Sequence, residues 1–274
     1  MKYTHIVSSD LDGTLMSKGD LLSPENSRAI SEMKRRGICF AVNTGRTISE
    51  MPAAVLEHPD IRYYIGSDGA LIWDKETDVY TETLMSREDF SPVFDLLLSY
   101  GTVDTVRAGG RSYADRAKYT PEIYEKTRVS KLYSAFIDYY VDKIDDYENF
   151  IRSLGGVEMV CSFFSNDADM NECMQKVRDM GKFVVAASEP TNIEIYNKNA
   201  GKGTAMLRLA DMLGVPRENT IAVGDSKNDM DMIKKAGLSL AVSNACDELK
   251  AAAHQTICPY THHSADYILS HFFG

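Results

Sequence analysis

The first third of the chain alternates short, continuous apolar runs with segments of helical periodicity. Residues 6–7, 38–42 and 63–65 are runs that predict strands, and the run at 38–42 is typical of a strand covered on both faces. Ser23 predicts the start of a helix between the first two runs, and Gly37 predicts its end. Because strands alternate with helices here, the pattern predicts right-handed crossovers and a parallel sheet.

The pattern changes at about residue 84, and the earlier style returns after residue 190. Between them, apolar positions predict helices and strands, the helices at 90–98, 144–154 and 170–177 and the strands at 103–106, 112–114, 159–164 and 183–187. Strands at 193–196 and 220–223 then resume the style of the first third. We therefore predict an α/β fold: a Rossmann-like parallel-sheet core, residues 1–83 and 188–274, with an inserted α+β cap domain, residues 84–187.

The composition is that of a globular protein. Hydrophobic residues make up 44% and charged residues 26% of the chain, without a signature of disorder. The length of 274 residues allows one large domain or two. The net charge of −10 argues against a nucleic-acid partner, because surfaces that bind nucleic acid are basic. We also expect no membrane partner, since no apolar run approaches the roughly 20 residues that a spanning helix needs.

The cysteines indicate a reducing compartment. There are five of them, an odd number, and none forms a Cys-x-x-Cys motif, which favours free thiols over a disulfide or zinc framework. The first residues lack the apolar core of a signal peptide and enter a strand almost at once. We therefore expect a cytoplasmic protein, as a monomer or weak homo-oligomer.

Two carboxylates, Asp10 and Asp12, follow the first apolar run, where the chain turns at Gly13. Ligand sites of open parallel sheets lie at the carboxyl ends of strands, so this pair is placed for chemistry. The same Asp-x-Asp spacing occurs again at 167–169 and 229–231. Both of those copies fall in predicted helices or helix starts, where we interpret them as ordinary solvated charge.

Four short segments, far apart in sequence, carry complementary polar side chains. They contain Asp10 and Asp12, then Thr44, then Lys202, and finally Asp225, Asn228 and Asp229. Carboxylates that converge raise one another's pKa unless a cation lies between them. Mg²⁺ prefers oxygen ligands, and a lysine and a threonine hydroxyl beside it can hold phosphoryl oxygens. Taken alone, Lys202 is better interpreted as a solvated helix-start residue, although a bound anion would explain a cation placed against the helix dipole.

In this order, the four segments resemble the motifs of the haloacid dehalogenase-like (HAD) superfamily. The insert after the second motif resembles its Cof-type subfamily (type IIB, large α/β cap), and the resemblance covers nearly the whole chain. It implies that Asp10 is the nucleophile and forms an aspartyl-phosphate, and that Asp12 is the general acid and later the base. Thr44, Gly45 and Lys202 would bind the phosphoryl group.

The resemblance also implies a magnesium cofactor. Mg²⁺ would be held by the carboxylates of Asp10 and Asp225 and by the backbone carbonyl of Asp12. Asn228, Asp229 and Arg46 would lie close to these ligands and support them.

Two positions depart from the family pattern. Asp68 stands where many relatives have Asn, which leaves any substrate contact at this position open. Lys202 is preceded by Asn199-Ala200-Gly201 in place of a bulkier segment, which should loosen that loop.

The leading hypothesis is a magnesium-dependent phosphatase that acts on a small phosphorylated metabolite, a sugar phosphate or similar. The alternative is a phosphomutase or phosphotransferase that passes the phosphoryl group to a sugar hydroxyl instead of water. A receiver-like phospho-switch also uses an acidic pocket with Thr and Lys, but receivers are shorter and lack the insert. The insert should close over the substrate and supply specificity. Its cations are each interpreted as solvated, although they could meet an anionic substrate: Arg107, Arg111, Arg116, Arg128 and Lys131.

Overall fold

A computed structural model describes residues 2–16, 21–187 and 190–274, the side chain of Leu132 excepted. The chain forms two compact units. The first comprises Met1–Arg46, Met51–Thr81 and Gly201–Gly274, and the second comprises Thr47–Glu50 and Glu82–Ala200. Ser188 and Glu189, which we expected at the second boundary of the insert, lie outside the described residues. No helix in the described part of the chain is both long and apolar enough to cross a membrane.

The first unit is built on an eight-stranded sheet. Its strands are β1 (His5–Ser9), β2 (Ile38–Asn43), β3 (Tyr63–Gly66), β4 (Leu71–Asp74), β5 (Val79–Glu82), β14 (Thr220–Gly224), β15 (Leu238–Val242) and β16 (Gln255–Ile257). Their order is β16-β15-β14-β1-β2-β3-β4-β5. The pairs from β16 to β3 are parallel, and β4 is antiparallel to β3. The predicted parallel-sheet core is therefore confirmed.

The first unit contains six α-helices within its described residues, and the first of them is the helix predicted between Ser23 and Gly37. They are α1 (Pro24–Arg35), α2 (Ala53–Leu56), α8 (Lys202–Leu213), α9 (Met230–Lys235), α10 (Asp247–Ala252) and α11 (Ser264–Phe272). The first begins as predicted at Ser23, whose Oγ accepts a hydrogen bond from the Asn26 backbone N–H at 3.1 Å. Its apolar positions Ala29, Ile30 and Met33 are buried, so the helix is held by its amphipathic face.

The second unit has a six-stranded sheet and a separate two-stranded ribbon. Its strands are β6 (Met85–Ser86), β7 (Val103–Ala108), β8 (Arg111–Asp115), β9 (Asp142–Ile144), β10 (Gly156–Val157), β11 (Met159–Phe163), β12 (Phe183–Ala186) and β13 (Asn192–Asn197). The order in the large sheet is β12-β13-β11-β7-β8-β9, and β10 pairs with β6 in the ribbon. Its helices are α3 (Arg87–Tyr100), α4 (Pro121–Lys126), α5 (Lys131–Tyr140), α6 (Tyr147–Ser153) and α7 (Asp167–Asp179). Apolar residues of α3, α6 and α7 pack with one face of the large sheet and form the main core.

The placement of β13 corrects the prediction that the core resumes at residue 188. This strand is antiparallel to both β11 and β12 and belongs to the sheet of the second unit, which extends to Ala200. Ile193 and Ile195 lie in the apolar core of that unit. Their alternation with polar residues is the period of a strand with one apolar face, whereas buried parallel strands carry continuous apolar runs.

Two further differences concern local pattern. Ile144, which we placed at the start of a helix, is the last residue of β9, and α6 begins only at Tyr147. The segment Thr47–Glu50, which lies far from the insert in sequence, belongs to the second unit. Its backbone and side chains bond to that unit, which periodicity cannot indicate.

Candidate active site

Asp10 follows β1, in the middle of the sheet of the first unit. Because β1 is parallel to both β14 and β2, the residues after these three strands meet at one edge of the sheet. The Asp10 backbone N–H donates to the Val223 carbonyl at 2.9 Å, which ties the turn to β14. The residue is only 4% exposed, so its carboxylate is held out of bulk water.

Lys202 begins α8, and its side chain is fully buried. Its Nζ donates to Oδ1 of Asp10 at 2.8 Å and to Oδ1 of Asp229 at 2.6 Å. Burial disfavours the charged amine, yet the carboxylates of Asp10 and Asp229 hold the pKa of Lys202 well above its ordinary value. The interpretation of Lys202 as a solvated helix-start residue is therefore wrong.

Asp229 is buried and receives hydrogen bonds on both carboxylate oxygens. Oδ1 accepts from Lys202, and Oδ2 accepts from the backbone N–H groups of Asp225 at 2.9 Å and Ser226 at 3.0 Å. These contacts fix the turn after β14 and orient the lysine at the same time. Asp229 is thus part of this buried cluster. The interpretation of its Asp-x-Asp spacing as solvated helix charge is wrong.

Two carboxyl groups of the site are held in a state that disfavours their charge. Burial and the neighbouring Asp229 carboxylate raise the pKa of Asp10 well above its usual range, although Lys202 acts in the opposite sense. Burial and Asp229 likewise raise the pKa of Asp225 to about 6. One lysine therefore does not compensate the negative charge that these residues would carry together.

This donor set fits a hard divalent cation. Asp10, Asp225 and Asp229 can each offer a carboxylate oxygen such that the three atoms lie within 4.8 Å of one another. All the available ligands are oxygens, as Mg²⁺ prefers. A divalent cation would also stabilise the ionised form of the carboxyls whose pKa is raised.

Asp12 lies apart from this carboxylate group and pairs with Arg46. Its Oδ2 accepts from Arg46 Nε at 2.8 Å, and its Oδ1 accepts from Arg46 Nη2 at 2.6 Å. The Asp12 side chain is 53% exposed, whereas that of Arg46 is 15% exposed. The Asp12 side chain is thus paired with Arg46, and the metal contact of the Asp12 backbone carbonyl remains a prediction.

Thr44 and Gly45 follow β2, the neighbour of β1. Thr44 is buried; its backbone N–H donates to the Ile65 carbonyl at 2.9 Å, and its Oγ1 accepts from the Arg46 backbone N–H at 3.2 Å. Gly45 packs closely, since a Cβ atom there would lie 3.3 Å from Asp68 Oδ1. The loop is therefore well fixed, and its contact with a phosphoryl group remains a prediction.

Asn228 is positioned by Asp68, from a distant segment, and by Ser226, two residues before it. Its Nδ2 donates to Oδ1 of Asp68 at 3.3 Å, and its Oδ1 accepts from the Ser226 hydroxyl at 2.6 Å. Asp68 is buried and has a φ of 49°, in the left-handed region that Asn and Asp tolerate better than most residues. Position 68 departs from the family pattern, and the Asp68 carboxylate here accepts a hydrogen bond from Asn228 within the first unit.

The sequence model of a family described as haloacid dehalogenase-like hydrolase matches residues 7–265. The chain belongs to this family. The predicted enzyme class, a phosphoric monoester hydrolase, is confirmed with it.

Relatives of this HAD-like hydrolase include two proteins of Bacillus subtilis named as 5-amino-6-(5-phospho-D-ribitylamino)uracil phosphatases. YwtE is 30% identical over 258 residues, which cover 89% of this chain and 89% of YwtE. YcsE is 28% identical over 249 residues, which cover 90% of this chain and 87% of YcsE.

Solved structures show the same fold. A haloacid dehalogenase-like hydrolase from B. subtilis matches with a TM-score of 0.81 at 23% identity, over 98% of this chain and 99% of that one. A HAD subclass IIB sugar phosphatase matches with a TM-score of 0.79 at 17% identity, over the same shares of the two chains. The predicted fold class and the resemblance to the subclass with a large cap are confirmed.

Two residues that support the site of this hydrolase were not predicted from the sequence. Asp231 Oδ2 accepts from the backbone N–H groups of Gly203 at 2.8 Å and Thr204 at 3.1 Å, and so caps the helix that carries Lys202. Asn43 Nδ2 donates to the Ser8 hydroxyl at 3.0 Å and to the Lys202 carbonyl at 2.9 Å. The Asp-x-Asp spacing at 229–231 was the available signal for the first, but we interpreted it as solvated charge.

The loop before Lys202 is tightly packed, which contradicts the expectation that small residues loosen it. Gly201 has a φ of 137°, and a Cβ atom there would lie 2.6 Å from Asp231 Oδ2. A Cβ atom on Gly69 would lie 2.2 Å from the Gly201 carbonyl oxygen. The small residues therefore allow close approach of two backbones and a capping carboxylate, and this holds the start of α8 in place.

Of the cations in the insert, Arg107 is also misjudged from sequence. It is buried and pairs with the buried Glu50, with Nη2 at 3.2 Å from Oε2. By contrast, Arg111 and Arg116 form exposed pairs with Asp142 and Asp145, as the solvated interpretation expects.

Proposed function

We propose that the chain is a magnesium-dependent phosphatase of small phosphorylated metabolites that works through an aspartyl-phosphate on Asp10. The observation that carries this proposal is the buried Lys202, which donates to Asp10 and Asp229 beside the further carboxylate of Asp225. Such a cluster retains uncompensated negative charge until it receives a cation. Phosphoryl transfer needs this kind of positioning and charge neutralisation.

The proposed ligands of Mg²⁺ are the carboxylates of Asp10 and Asp225 and the backbone carbonyl of Asp12. Asp229 is a positioning residue, because both of its oxygens already accept hydrogen bonds. When bound, the ion would neutralise charge between the phosphate and the carboxylates and orient the phosphoryl oxygens.

In the first half of the proposed reaction, a carboxylate oxygen of Asp10 attacks phosphorus. The bond from phosphorus to the ester oxygen breaks as Asp12 delivers a proton to that oxygen, and the alcohol leaves. In the second half, Asp12 takes a proton from water, which attacks phosphorus and releases phosphate from Asp10. Lys202, Thr44 and the backbone N–H of Gly45 would hold the phosphoryl oxygens throughout.

The proposed substrate class is a sugar phosphate or a similar small phosphomonoester. The relatives YwtE and YcsE are named for a phosphate on a ribityl chain, which is a substrate of this kind. We propose a monomer or weak homo-oligomer with no nucleic-acid or membrane partner, in keeping with the net charge of −10. The five cysteines are free thiols, which supports the proposed cytoplasmic location.

Hydrolysis of an aryl phosphate tests the proposal directly. We expect phosphate release over many turnovers that needs Mg²⁺ and stops with a chelator. Asp10→Asn should lower kcat by about 10⁴-fold or more, since loss of a covalent nucleophile is among the costliest changes in an active site. Borohydride reduction of the enzyme during turnover should convert residue 10 to homoserine, which identifies the acyl-phosphate.

A matched control is Asp167→Asn, which alters the exposed first residue of another Asp-x-Asp sequence and should leave kcat unchanged. Retained activity in Asp10→Asn would exclude Asp10 as nucleophile. If phosphate appears only on an added sugar and not in solution, the activity is that of a phosphomutase or phosphotransferase instead.

A further inference from the structure

The pairing of Asp12 with Arg46 takes no part in the proton transfers assigned to Asp12. We propose that Arg46 is a positioning residue that orients the Asp12 carboxylate, and that the buried attachment of Thr47–Glu50 in the second unit fixes Arg46 in turn. This inference rests on the proposed role of Asp12 in proton transfer. It adds a residue to that role and connects the role to the second unit through the chain itself.

The geometry of the pair is that of an orienting contact. Two separate nitrogens of Arg46 bond to the two oxygens of Asp12, at 2.8 and 2.6 Å. A bidentate pair fixes the plane of a carboxylate as well as its distance, which a single contact does not. Since half of the Asp12 side chain is exposed, packing alone would leave it free to change rotamer.

The backbone of Arg46 is itself fixed on both sides within the first unit. Its N–H donates to Thr44 Oγ1 at 3.2 Å, and its carbonyl accepts from the Ser67 backbone N–H at 3.0 Å. The guanidinium therefore starts from a defined point beside the predicted phosphate-binding loop. The backbone of Arg46 is fixed, and its guanidinium bonds to Asp12 at two points. This places the Asp12 carboxylate as precisely as proton transfer needs.

The very next residue is bound into the second unit by buried polar groups. Thr47 Oγ1 donates to Glu158 Oε2 at 2.9 Å, and the Thr47 backbone N–H donates to Glu50 Oε2 at 2.9 Å. Glu158 Oε1 accepts from the Gly110 backbone N–H at 2.6 Å, and Glu50 pairs with Arg107. The carboxylates of Glu50 and Glu158 are thus both bound by donors in the interior of that unit.

Buried ionic groups cost desolvation energy, and a better packed apolar cluster would usually be at least as stable. We attribute the presence of the buried carboxylates of Glu50 and Glu158 to their bonds with Thr47, which hold this residue in place. One peptide bond separates Arg46, in the first unit, from Thr47, in the second. Arg46 is thus joined directly to a residue whose backbone and side chain are bonded to buried carboxylates, and we assign part of the placement of Arg46 to this attachment.

The test is a double-mutant cycle between Arg46→Gln and Asp12→Asn, with Arg46→Lys as the conservative variant. Assays use an aryl phosphate with a good leaving group and saturating Mg²⁺, at enzyme concentrations high enough to measure the slow variants. Arg46→Gln alone should lower kcat by roughly ten- to a hundredfold, within the loss expected for a misplacement of about 1 Å. In the Asp12→Asn background the same change should cost no more than about twofold, because the group that Arg46 orients is gone.

A direct role of Arg46 in phosphate binding predicts the opposite result. The loss would then multiply with that of Asp12→Asn, and the inhibition constant of inorganic phosphate would rise about tenfold or more. Either result overturns the positioning role. Arg46→Lys should recover only part of kcat, since an ammonium cannot form the bidentate pair, whereas full recovery would show that charge alone matters. Arg35→Gln is the matched control, because Arg35 pairs with Glu32 on an exposed helix face.

The attachment is tested by Thr47→Val, which keeps the side-chain shape and removes the bond to Glu158. We expect kcat to fall roughly two- to tenfold while phosphate inhibition is unchanged, and the loss to vanish in the Arg46→Gln background. An equal loss in both backgrounds, or none in either, overturns this step. Failure of the proposed function would differ from both, since the wild type would then release no phosphate or Asp12→Asn would keep full activity.

Discussion

The two units each bury a basic residue against carboxylates, but only one of these clusters is chemically open. Around Arg107 in the second unit, Glu50 receives a guanidinium and a backbone N–H, and Glu158 receives a hydroxyl and a backbone N–H. Around Lys202 in the first unit, the pKa values of Asp10 and Asp225 are raised, to about 6 for Asp225. We call the cluster of Arg107, Glu50 and Glu158 the closed cluster, because its carboxylates already accept hydrogen bonds. The cluster of Lys202, Asp10, Asp225 and Asp229 is the open cluster, because a bound cation would stabilise it further.

We propose that this difference separates a structural charge cluster from a functional one, and it does not depend on any family motif. Burial alone does not distinguish them, since Lys202 and Arg107 are both inside the protein. What distinguishes them is that both oxygens of Glu50 and of Glu158 accept hydrogen bonds, whereas the pKa values of Asp10 and Asp225 remain raised beside their lysine. If the distinction holds, changes at the open cluster should affect catalysis most, and changes at the closed cluster should affect stability most.

The largest effect is expected at the open cluster, from Lys202→Met. The variant removes the cation that offsets repulsion between Asp10 and the phosphate, so kcat for an aryl phosphate should fall by about 10³-fold. Circular dichroism should show that the variant is folded in the presence of Mg²⁺. A loss of less than about tenfold would contradict the comparison, because the lysine would then be no more than a buried counter-ion.

At the closed cluster, Arg107→Met should act on stability. It leaves Glu50 buried without its guanidinium, a change that typically costs about 3–5 kcal/mol. We expect a lower midpoint in urea unfolding, while kcat per folded molecule stays within about tenfold of the wild type at low temperature. The matched control is Arg111→Met on the same sheet, whose exposed pair with Asp142 should contribute less than about 1 kcal/mol. Equal shifts in the two variants would remove the distinction between buried and exposed pairs.

The open cluster was largely predictable because its chemistry follows local signals. Asp10 and Asp12 follow a buried strand and precede a glycine, and Asp225 follows another strand. Parallel strands bring these ends together, so sequence order and sheet geometry suffice. Lys202 could not be separated from a solvated lysine by local pattern, because its burial depends on Asp229, which is distant in sequence.

The closed cluster was not predictable, for the same physical reason. Glu50, Arg107 and Glu158 lie in three distant segments, and each is an ordinary charged residue in its local context. The boundary at residue 200 failed similarly, since β13 is assigned by its hydrogen bonds to β11 and β12 and not by its own composition. Local periodicity identified the strand, and only tertiary pairing identified its sheet.

One buried carboxyl group of the second unit, that of Asp104, is not paired with donors in the way that Glu50 and Glu158 are. Asp104 on β7 shares a face of the sheet with Val106 and Ala108, which belong to the apolar core. Neither of its carboxylate oxygens makes a hydrogen bond within ordinary distance and angle limits. Burial raises the pKa of Asp104, and the nearby Lys118 together with the hydroxyls of Ser162 and Thr102 only partly opposes this.

The smallest effect is expected from Asp104→Asn, and it should depend on pH. Because the folded-state pKa is raised, folding favours the protonated form, and this group imposes no penalty well below its ordinary value of 3.8. The penalty appears as pH rises through that value, grows until the folded-state pKa is passed, and is constant above it. The asparagine removes this dependence, so the variant should gain about 1 kcal/mol over the wild type at pH 7 relative to pH 4. Urea midpoints of both proteins at the two pH values give this double difference, in which groups common to both cancel.

The exposed Asp179→Asn is the control and should show no such difference. If Asp104→Asn also shows none, Asp104 is satisfied in solution, and the second unit buries no uncompensated acid at this position.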